Sequence, residues 1–198
     1  MFLRQHDTSA RVLNRSTSAI SPWVRLETVE AVMPGSSKTE VYHGLAQPDY
    51  VNVMCLHMRG DVALVRQYRP IIDRWTIEFP GGLRDGDEPA AMAARREVEE
   101  ETGLSVKELV LLQEAYADVG RLNNKLYGYF ALVDGAARST EMGLEAVLVP
   151  SDRIRTMAAA GEIAIAANIG LLYLSAYHPR VRAICTQLGF PGPPWANE

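Results

Sequence analysis

Residues 95–101 read Arg-Arg-Glu-Val-Glu-Glu-Glu, which sets four carboxylates in five positions. On a helix, Glu97, Glu100 and Glu101 stand at i, i+3 and i+4 and share a face, whereas Glu99 points away into solvent. Like charges so placed repel, and the C-terminal half of a helix is the end that disfavours anions. Folding therefore supplies no reason for the pattern. A hard divalent cation does, because Mg2+ takes carboxylate oxygens and keeps coordination positions for water and phosphate. The competing reading is a solvated helix face, since runs of charge are common on helices. Arg96 stands beside the carboxylates and can pair with them, holding them in the geometry of ligands.

Groups of this kind need elements that hold them still. Trp75–Phe79 reads as a short strand stopped by Pro80-Gly81-Gly82. The two glycines let the backbone turn tightly, and the Gly81 carbonyl can approach a cation. After a polar loop, a helix is expected from Pro89 to Thr102, with Pro89 in its first turn and Gly103 as its C-terminal cap. Ala90, Ala91, Ala93 and Ala94 keep that helix slim enough to pack close to a sheet. Glu88 lies just ahead of it, placed either to cap its N–H groups or to reach the carboxylates through water.

Further strands are expected at Trp23–Val32, Thr39–Leu45, Tyr50–Met58, Val62–Tyr68, Leu109–Ala117, Leu126–Val133 and Glu145–Val149. The tail turns helical: Ser151 caps a helix to Ala160, Glu162–Tyr177 forms a second, and a short third precedes Pro191-Gly192-Pro193-Pro194. This order indicates an α+β fold built on a mixed sheet. Residues 1–20 read as a flexible leader, 21–48 as N-terminal strands suited to dimerisation, and 49–190 as the main domain with C-terminal helices.

With 198 residues, 47% hydrophobic and 22% charged, the composition is that of a soluble globular protein with one ordinary domain and a small extension. A formal charge of −4 argues against binding a nucleic-acid polymer through a broad basic surface. A nucleotide remains compatible, because a few arginines and a metal can offset its phosphates locally. Cys55 and Cys185 read as reduced core thiols of a cytoplasmic protein. The first residues, MFLRQHDTSARVLNRS, lack the apolar stretch of a secretory signal. The longest apolar run, Ile163–Ala176, is broken by Asn168 and Gly170, so no membrane span is expected.

Five residues separate Gly82 from Glu88, and seven more separate Glu88 from Arg96-Glu97; Val98, Glu99, Glu100-Glu101, Thr102, Gly103 and Leu104 follow. This resembles the Nudix box, G-x5-E-x7-R-E-U-x-E-E-x-G-U with U aliphatic, at every defined position. The flanks Val65-Arg66-Gln67-Tyr68-Arg69-Pro70, Trp75-Thr76-Ile77-Glu78-Phe79-Pro80-Gly81-Gly82 and Asp49-Tyr50-Val51-Asn52-Val53 are similar to the ADP-sugar (ADP-ribose) pyrophosphatase branch of that family. The resemblance covers residues 22–177.

It implies a Nudix-type α/β/α sandwich with a mixed β-sheet and N-terminal antiparallel strands. It also implies Mg2+, or Mn2+ in its place, held by Gly81, Glu97, Glu100 and Glu101, and attack of water on a diphosphate. Catalysis would rest on Glu101, Glu100, Arg96 and a base in the loop before the last strand, Glu141 with Glu145 in reserve. Gly82, Glu88 and Gly103 would be structural parts of the motif. Arg69 would contact substrate phosphates; read without the family, it is a surface arginine at a strand end. Glu78 would bind ribose or support the carboxylates; its other reading is a buried carboxylate paired with an arginine.

Trp23 would stack on the base, as N-terminal segments do across the dimers of related enzymes, or else serve as a core or interface aromatic. Arg121 would read a phosphate or sugar, or stand solvated in a hairpin. Dedicated ADP-ribose hydrolases usually carry a Ser-Pro-Gly turn in the stretch that here reads Ala117-Asp118-Val119-Gly120-Arg121-Leu122-Asn123-Asn124. That departure widens the expected substrate to nucleoside diphosphate sugars in general.

The function expected is therefore metal-dependent cleavage of an ADP-ribose-like nucleoside diphosphate sugar into a nucleoside monophosphate and a sugar phosphate, in a homodimer. The alternatives are another nucleoside diphosphate compound (GDP-sugar, dinucleoside polyphosphate or coenzyme) and a non-catalytic nucleotide-sugar sensor. A sensor would not need every carboxylate to repel its neighbour.

Overall fold

The segment Tyr50–His57 is apolar at most positions, as a strand covered on both faces must be. In the computed structural model, which describes residues 10–139 and 142–196, it lies in the middle of a sheet. In chain order the strands are β1 (Arg11–Ala19), β2 (Arg25–Val32), β3 (Thr39–Ala46), β4 (Tyr50–His57), β5 (Asp61–Arg69), β6 (Arg74–Glu78), β7 (Ser105–Tyr116), β8 (Lys125–Asp134) and β9 (Leu144–Pro150). The helices are α1 (Ala90–Thr102), α2 (Ile154–Ala159), α3 (Ala166–Tyr177) and α4 (Pro179–Gln187).

The chain divides into two units, one comprising residues up to Pro48 with Tyr116–Asn124, the other Asp49–Ala115 with Lys125 onward. The second unit holds a mixed sheet in the order β6-β5-β4-β8-β7, with β9 on the free side of β5. β4 runs parallel to β8, whereas β5 is antiparallel to β4, β6 and β9. Side chains alternate across β4, so each face has its own core. Val51, Val53 and Cys55 pack with Ala93, Ala94 and Val98 of α1. Met54 and Leu56 pack with Leu171 of α3 and Ile184 of α4 on the other side. The result is the expected α/β/α sandwich.

β5 meets β4 only at Cys55↔Ala63 and Leu56↔Val62, then pairs with β6 from Val65↔Glu78 to Arg69↔Arg74. The two neighbours fork apart, and the chain leaving β6 fills the gap. Val53 N–H donates to the Pro80 carbonyl at 2.8 Å, and Val51 N–H to the Gly82 carbonyl at 2.9 Å. This seam fixes the Pro80–Gly82 turn against the centre of the sheet.

The first unit is an antiparallel three-stranded sheet, β1-β2-β3. Here one expectation is corrected: Arg11–Ala19 is not a weakly structured leader but a strand paired with β2 from Arg11↔Val32 to Ala19↔Arg25, with a shift of register between Val12 and Asn14. Its residues are all exposed, so no alternation of apolar side chains announces it. At the tail, α3 begins at Ala166 rather than Glu162, because Ile163 is taken up in a bridge to Ile77 of β6. α2 begins at Ile154, and Ser151 does not cap it. Both cysteines are free and buried, as expected.

Candidate active site

α1 is set by its alanines and its ends. Ala93 and Ala94 are fully buried against the sheet, Ala90 is partly buried, and Ala91 is exposed, so one half of the alanine set makes the close contact. Pro89 stands at the N-cap with extended backbone, and Gly103 closes the helix at φ 68° with its N–H on the Glu99 carbonyl. Glu88 makes no cap to the helix N–H groups, which corrects one of its two readings.

The face that the spacing assigned to Glu97, Glu100 and Glu101 is real but graded in depth. Glu97 and Glu101 are buried, at 8% and 6% exposure, while Glu100 is exposed, as is Glu99. Glu101 accepts a hydrogen bond of 2.8 Å from the Gly81 N–H. Gly81 thus enters the site through its amide. A β-carbon on Gly81 would fall 2.3 Å from the Val51 carbonyl oxygen, and one on Gly82 2.5–2.6 Å from the Glu97 carboxylate atoms. The backbone thus demands glycine at 81, whereas at 82 a β-carbon would displace the Glu97 carboxylate.

Arg96 gathers the remaining groups. Its Nη1 donates to Glu97 at 2.8 Å and to Glu100 at 3.0 Å, and its Nε and Nη2 reach the two Glu88 oxygens at 3.3 and 3.1 Å. The guanidinium holds the Glu88 carboxyl below the usual carboxylate range. In return Glu88 first, then Glu100 and Glu97, raise the pKa of Arg96. A single cation here offsets the repulsion among three carboxylates.

Alternation along β5 and β6 puts Gln67, Arg69, Thr76 and Glu78 on the α1 side of the sheet. Glu78 is 3% exposed, and Arg69 grips it with Nε (2.8 Å to Oε1) and Nη2. Thr76 Oγ1 donates to Glu78 at 2.6 Å. Glu78, then Glu101 more weakly, raises the Arg69 pKa. Glu78 is therefore a buried carboxylate paired with an arginine, and the arginine it pairs with is Arg69 itself.

Among the described residues, no three carboxylate, imidazole or thiol groups converge at metal-holding distances. The donor chemistry nevertheless fits a hard cation: two buried carboxylates one helical turn apart, facing a turn stripped of β-carbons. Glu97, Glu101 and the more exposed Glu100 would hold it. Bound there, a divalent cation would neutralise phosphate charge and lower the pKa of a water.

Glu145, the reserve base, lies on β9 and pairs with Arg66 at 3.2 Å. Glu141 lies outside the described residues. Trp23 and Arg121 belong to the first unit. Trp23 is 65% exposed at the β1–β2 turn, and Arg121 lines a cavity of about 380 Å3 with Arg15, Glu27, Tyr42, His43 and Asn123. Arg84 carries no sequence signal, and although Thr76 and Asn52 stand in the quoted flanks and Asn168 breaks the apolar run, the Thr76–Glu78 contact and the buried Asn52–Asn168 amide pair (2.7 Å) follow only from the folded chain.

The NUDIX domain model matches residues 47–167. The ADP-ribose pyrophosphatase of Bacillus subtilis is 32% identical over 107 residues, 54% of this chain and 56% of the relative. The chain thus spans little more than half of that relative's length. The GDP-mannose pyrophosphatase of Salmonella arizonae is 32% identical over 130 residues, 59% of this chain and 68% of the relative. A crystal structure of an ADP compounds hydrolase superposes with a TM-score of 0.72 at 21% identity, covering 94% of this chain and 99% of that one, which is a likeness of fold. Motif, sandwich and domain match converge, and the chain belongs to the Nudix family.

Proposed function

We propose that this chain is a divalent-metal-dependent pyrophosphohydrolase that cleaves a nucleoside diphosphate sugar of the ADP-ribose type into a nucleoside monophosphate and a sugar phosphate. The observation that carries the reading is the pair of buried carboxylates, Glu97 and Glu101, set against the Gly81-Gly82 turn. Two carboxylates are held at that depth next to a turn in which a side chain would collide, and a cation bridging them to a diphosphate accounts for both features.

Arg69 binds a substrate phosphate in this reading. Glu78 fixes two of its nitrogens, while Nη1 makes no hydrogen bond among the described residues and the side chain is 45% exposed. A guanidinium so anchored presents its remaining donors without losing rotamer freedom on binding. Arg96 keeps the acidic face assembled before metal arrives. Glu141 is the base that takes the proton of the attacking water, Trp23 stacks on the nucleobase, and Arg121 reads the sugar or a phosphate.

Mg2+ is the proposed physiological metal, with Mn2+ able to replace it. The protein acts as a homodimer through the first unit, whose strand β1 is exposed along its length. No helix is long and apolar enough to cross a membrane among the described residues, and two free buried thiols suit a reducing cytoplasm. A second reading, GDP-sugar as substrate, is favoured by the Salmonella relative and by the absence of a Ser-Pro-Gly turn at Asp118–Arg121.

The test is product release from ADP-ribose, GDP-mannose and a dinucleoside polyphosphate, with and without Mg2+. Hydrolysis of ADP-ribose that vanishes on chelation is expected. Glu101→Gln should lose several orders of magnitude in rate with an unchanged circular dichroism spectrum. Tight nucleotide-sugar binding without turnover would instead make the chain a sensor.

A further inference from the structure

Arg84 lies in the variable stretch between Gly82 and Glu88, where the box defines no residue, yet it makes more polar contacts than any neighbour there. Its Nε and Nη2 both donate to the main-chain carbonyl of Glu88, at 2.9 and 2.6 Å. Nη1 donates to Asp49 Oδ2 at 2.9 Å, and the Arg84 N–H meets the Asp49 carbonyl at 2.8 Å. The other Asp49 oxygen accepts from the Lys125 N–H at 2.8 Å, at the start of β8. The guanidinium also lies over the Tyr127 ring, 5.4 Å from its centroid. Arg84 is thus anchored at Asp49, the residue just before β4, and over Tyr127 in β8, while its Nε and Nη2 grip the loop at one atom, the Glu88 carbonyl oxygen.

That atom matters because of what Glu88 does. Its carboxylate holds Arg96 with both oxygens, and Arg96 holds Glu97 and Glu100. We propose that Arg84 is a positioning residue: by clamping the Glu88 carbonyl to the β4 and β8 strand starts, it sets where Arg96, and through it Glu97 and Glu100, stand. The inference rests on the Nudix reading of those carboxylates as metal ligands. Outer groups that orient ligands are worth about tenfold to a hundredfold in metal affinity.

The experiment measures binding of Mn2+ alone, by the loss of free-ion signal in electron paramagnetic resonance, to the parent chain, Arg84→Met, Arg84→Lys, Glu88→Gln and the double variant Arg84→Met with Glu88→Gln. Arg84→Met should weaken Mn2+ about tenfold. Arg84→Lys should recover only part of this, since one ammonium cannot reach both Glu88 and Asp49 as a fork does. The double variant should bind no more weakly than Glu88→Gln, because both substitutions cut one chain of contacts. Parent-like Mn2+ affinity in Arg84→Met, or losses that multiply in the double variant, would overturn the proposal. A loss in thermal midpoint alone would do the same. If Arg84→Met does not fold, Asp49→Asn removes the opposite anchor and carries the same comparison. A parent chain that binds no Mn2+ at millimolar concentration overturns the metal reading itself, a failure separate from any difference among the variants.

Discussion

At the scale of the residue, the two glycines of the turn separate what folding needs from what the site needs. A methyl on Gly81 would meet the Val51 carbonyl oxygen at 2.3 Å and the Asn52 α-carbon at 2.9 Å, both backbone atoms of the central strand. Neither can move without breaking the seam that holds the turn to β4. The nearest atoms a methyl on Gly82 would meet are instead those of the Glu97 carboxylate, the far end of a flexible side chain. Gly82 is not among the residues with positive φ, so alanine costs it no backbone strain. The expected outcome is a split. Gly82→Ala should unfold at nearly the parent temperature but lose Mn2+ affinity and hydrolysis about a hundredfold, because Glu97 is pushed out of place. Gly81→Ala should lower the unfolding midpoint itself. Thermal melts read beside Mn2+ titrations check this, and a Gly82→Ala chain with intact metal affinity would remove Glu97 from the proposed ligand set.

At the scale of the element, α1 carries the proposed ligands and lies close to the sheet, and its closeness is set by side-chain size. Ala93 and Ala94 have no exposed surface, whereas Ala91 looks outward. Ala94→Leu should therefore cost roughly 1–3 kcal/mol in urea unfolding through overpacking. Ala91→Leu should fall within about 0.5 kcal/mol of the parent, as exposed substitutions do. Equal effects at the two positions would mean that the helix does not sit on the sheet by that face. The same helix shows what a sequence can and cannot tell. Spacing places Glu97, Glu100 and Glu101 on one side, since that follows from 3.6 residues per turn. Depth does not follow, because the burial of Glu97 and Glu101 but not Glu100 depends on the turn packed against them. The Arg69–Glu78 pair needs the register of β5 and β6, which no local pattern prints. Arg84 finds its partner only after the chain has reversed over residues 84–88. β1 stayed hidden because a strand with nine exposed residues carries no period of two.

At the scale of the whole molecule, the first unit is poorly covered for a folded sheet. Among its described residues only Glu27, Ala31, Val32 and Asn124 are buried, and one of these is a carboxylate. Val12, Leu13, Ile20, Trp23 and Val41 are each more than half exposed. Three strands with so little buried surface are marginal in water, and an open edge strand of this length invites pairing. A second copy of the chain answers both needs with one symmetric contact. The proposed dimer therefore predicts sedimentation at twice the chain mass at micromolar concentration. Leu13→Lys combined with Val41→Lys should shift it toward the monomer, since each lysine would have to be desolvated at the contact. If Trp23 stacks on the base in the assembled dimer, the same double variant should raise KM for the nucleotide substrate while Mn2+ affinity, whose proposed ligands all lie in the second unit, stays as in the parent. A parent chain that sediments as a monomer while hydrolysing at full rate would leave the sheet of the first unit stable on its own and the dimer without a role.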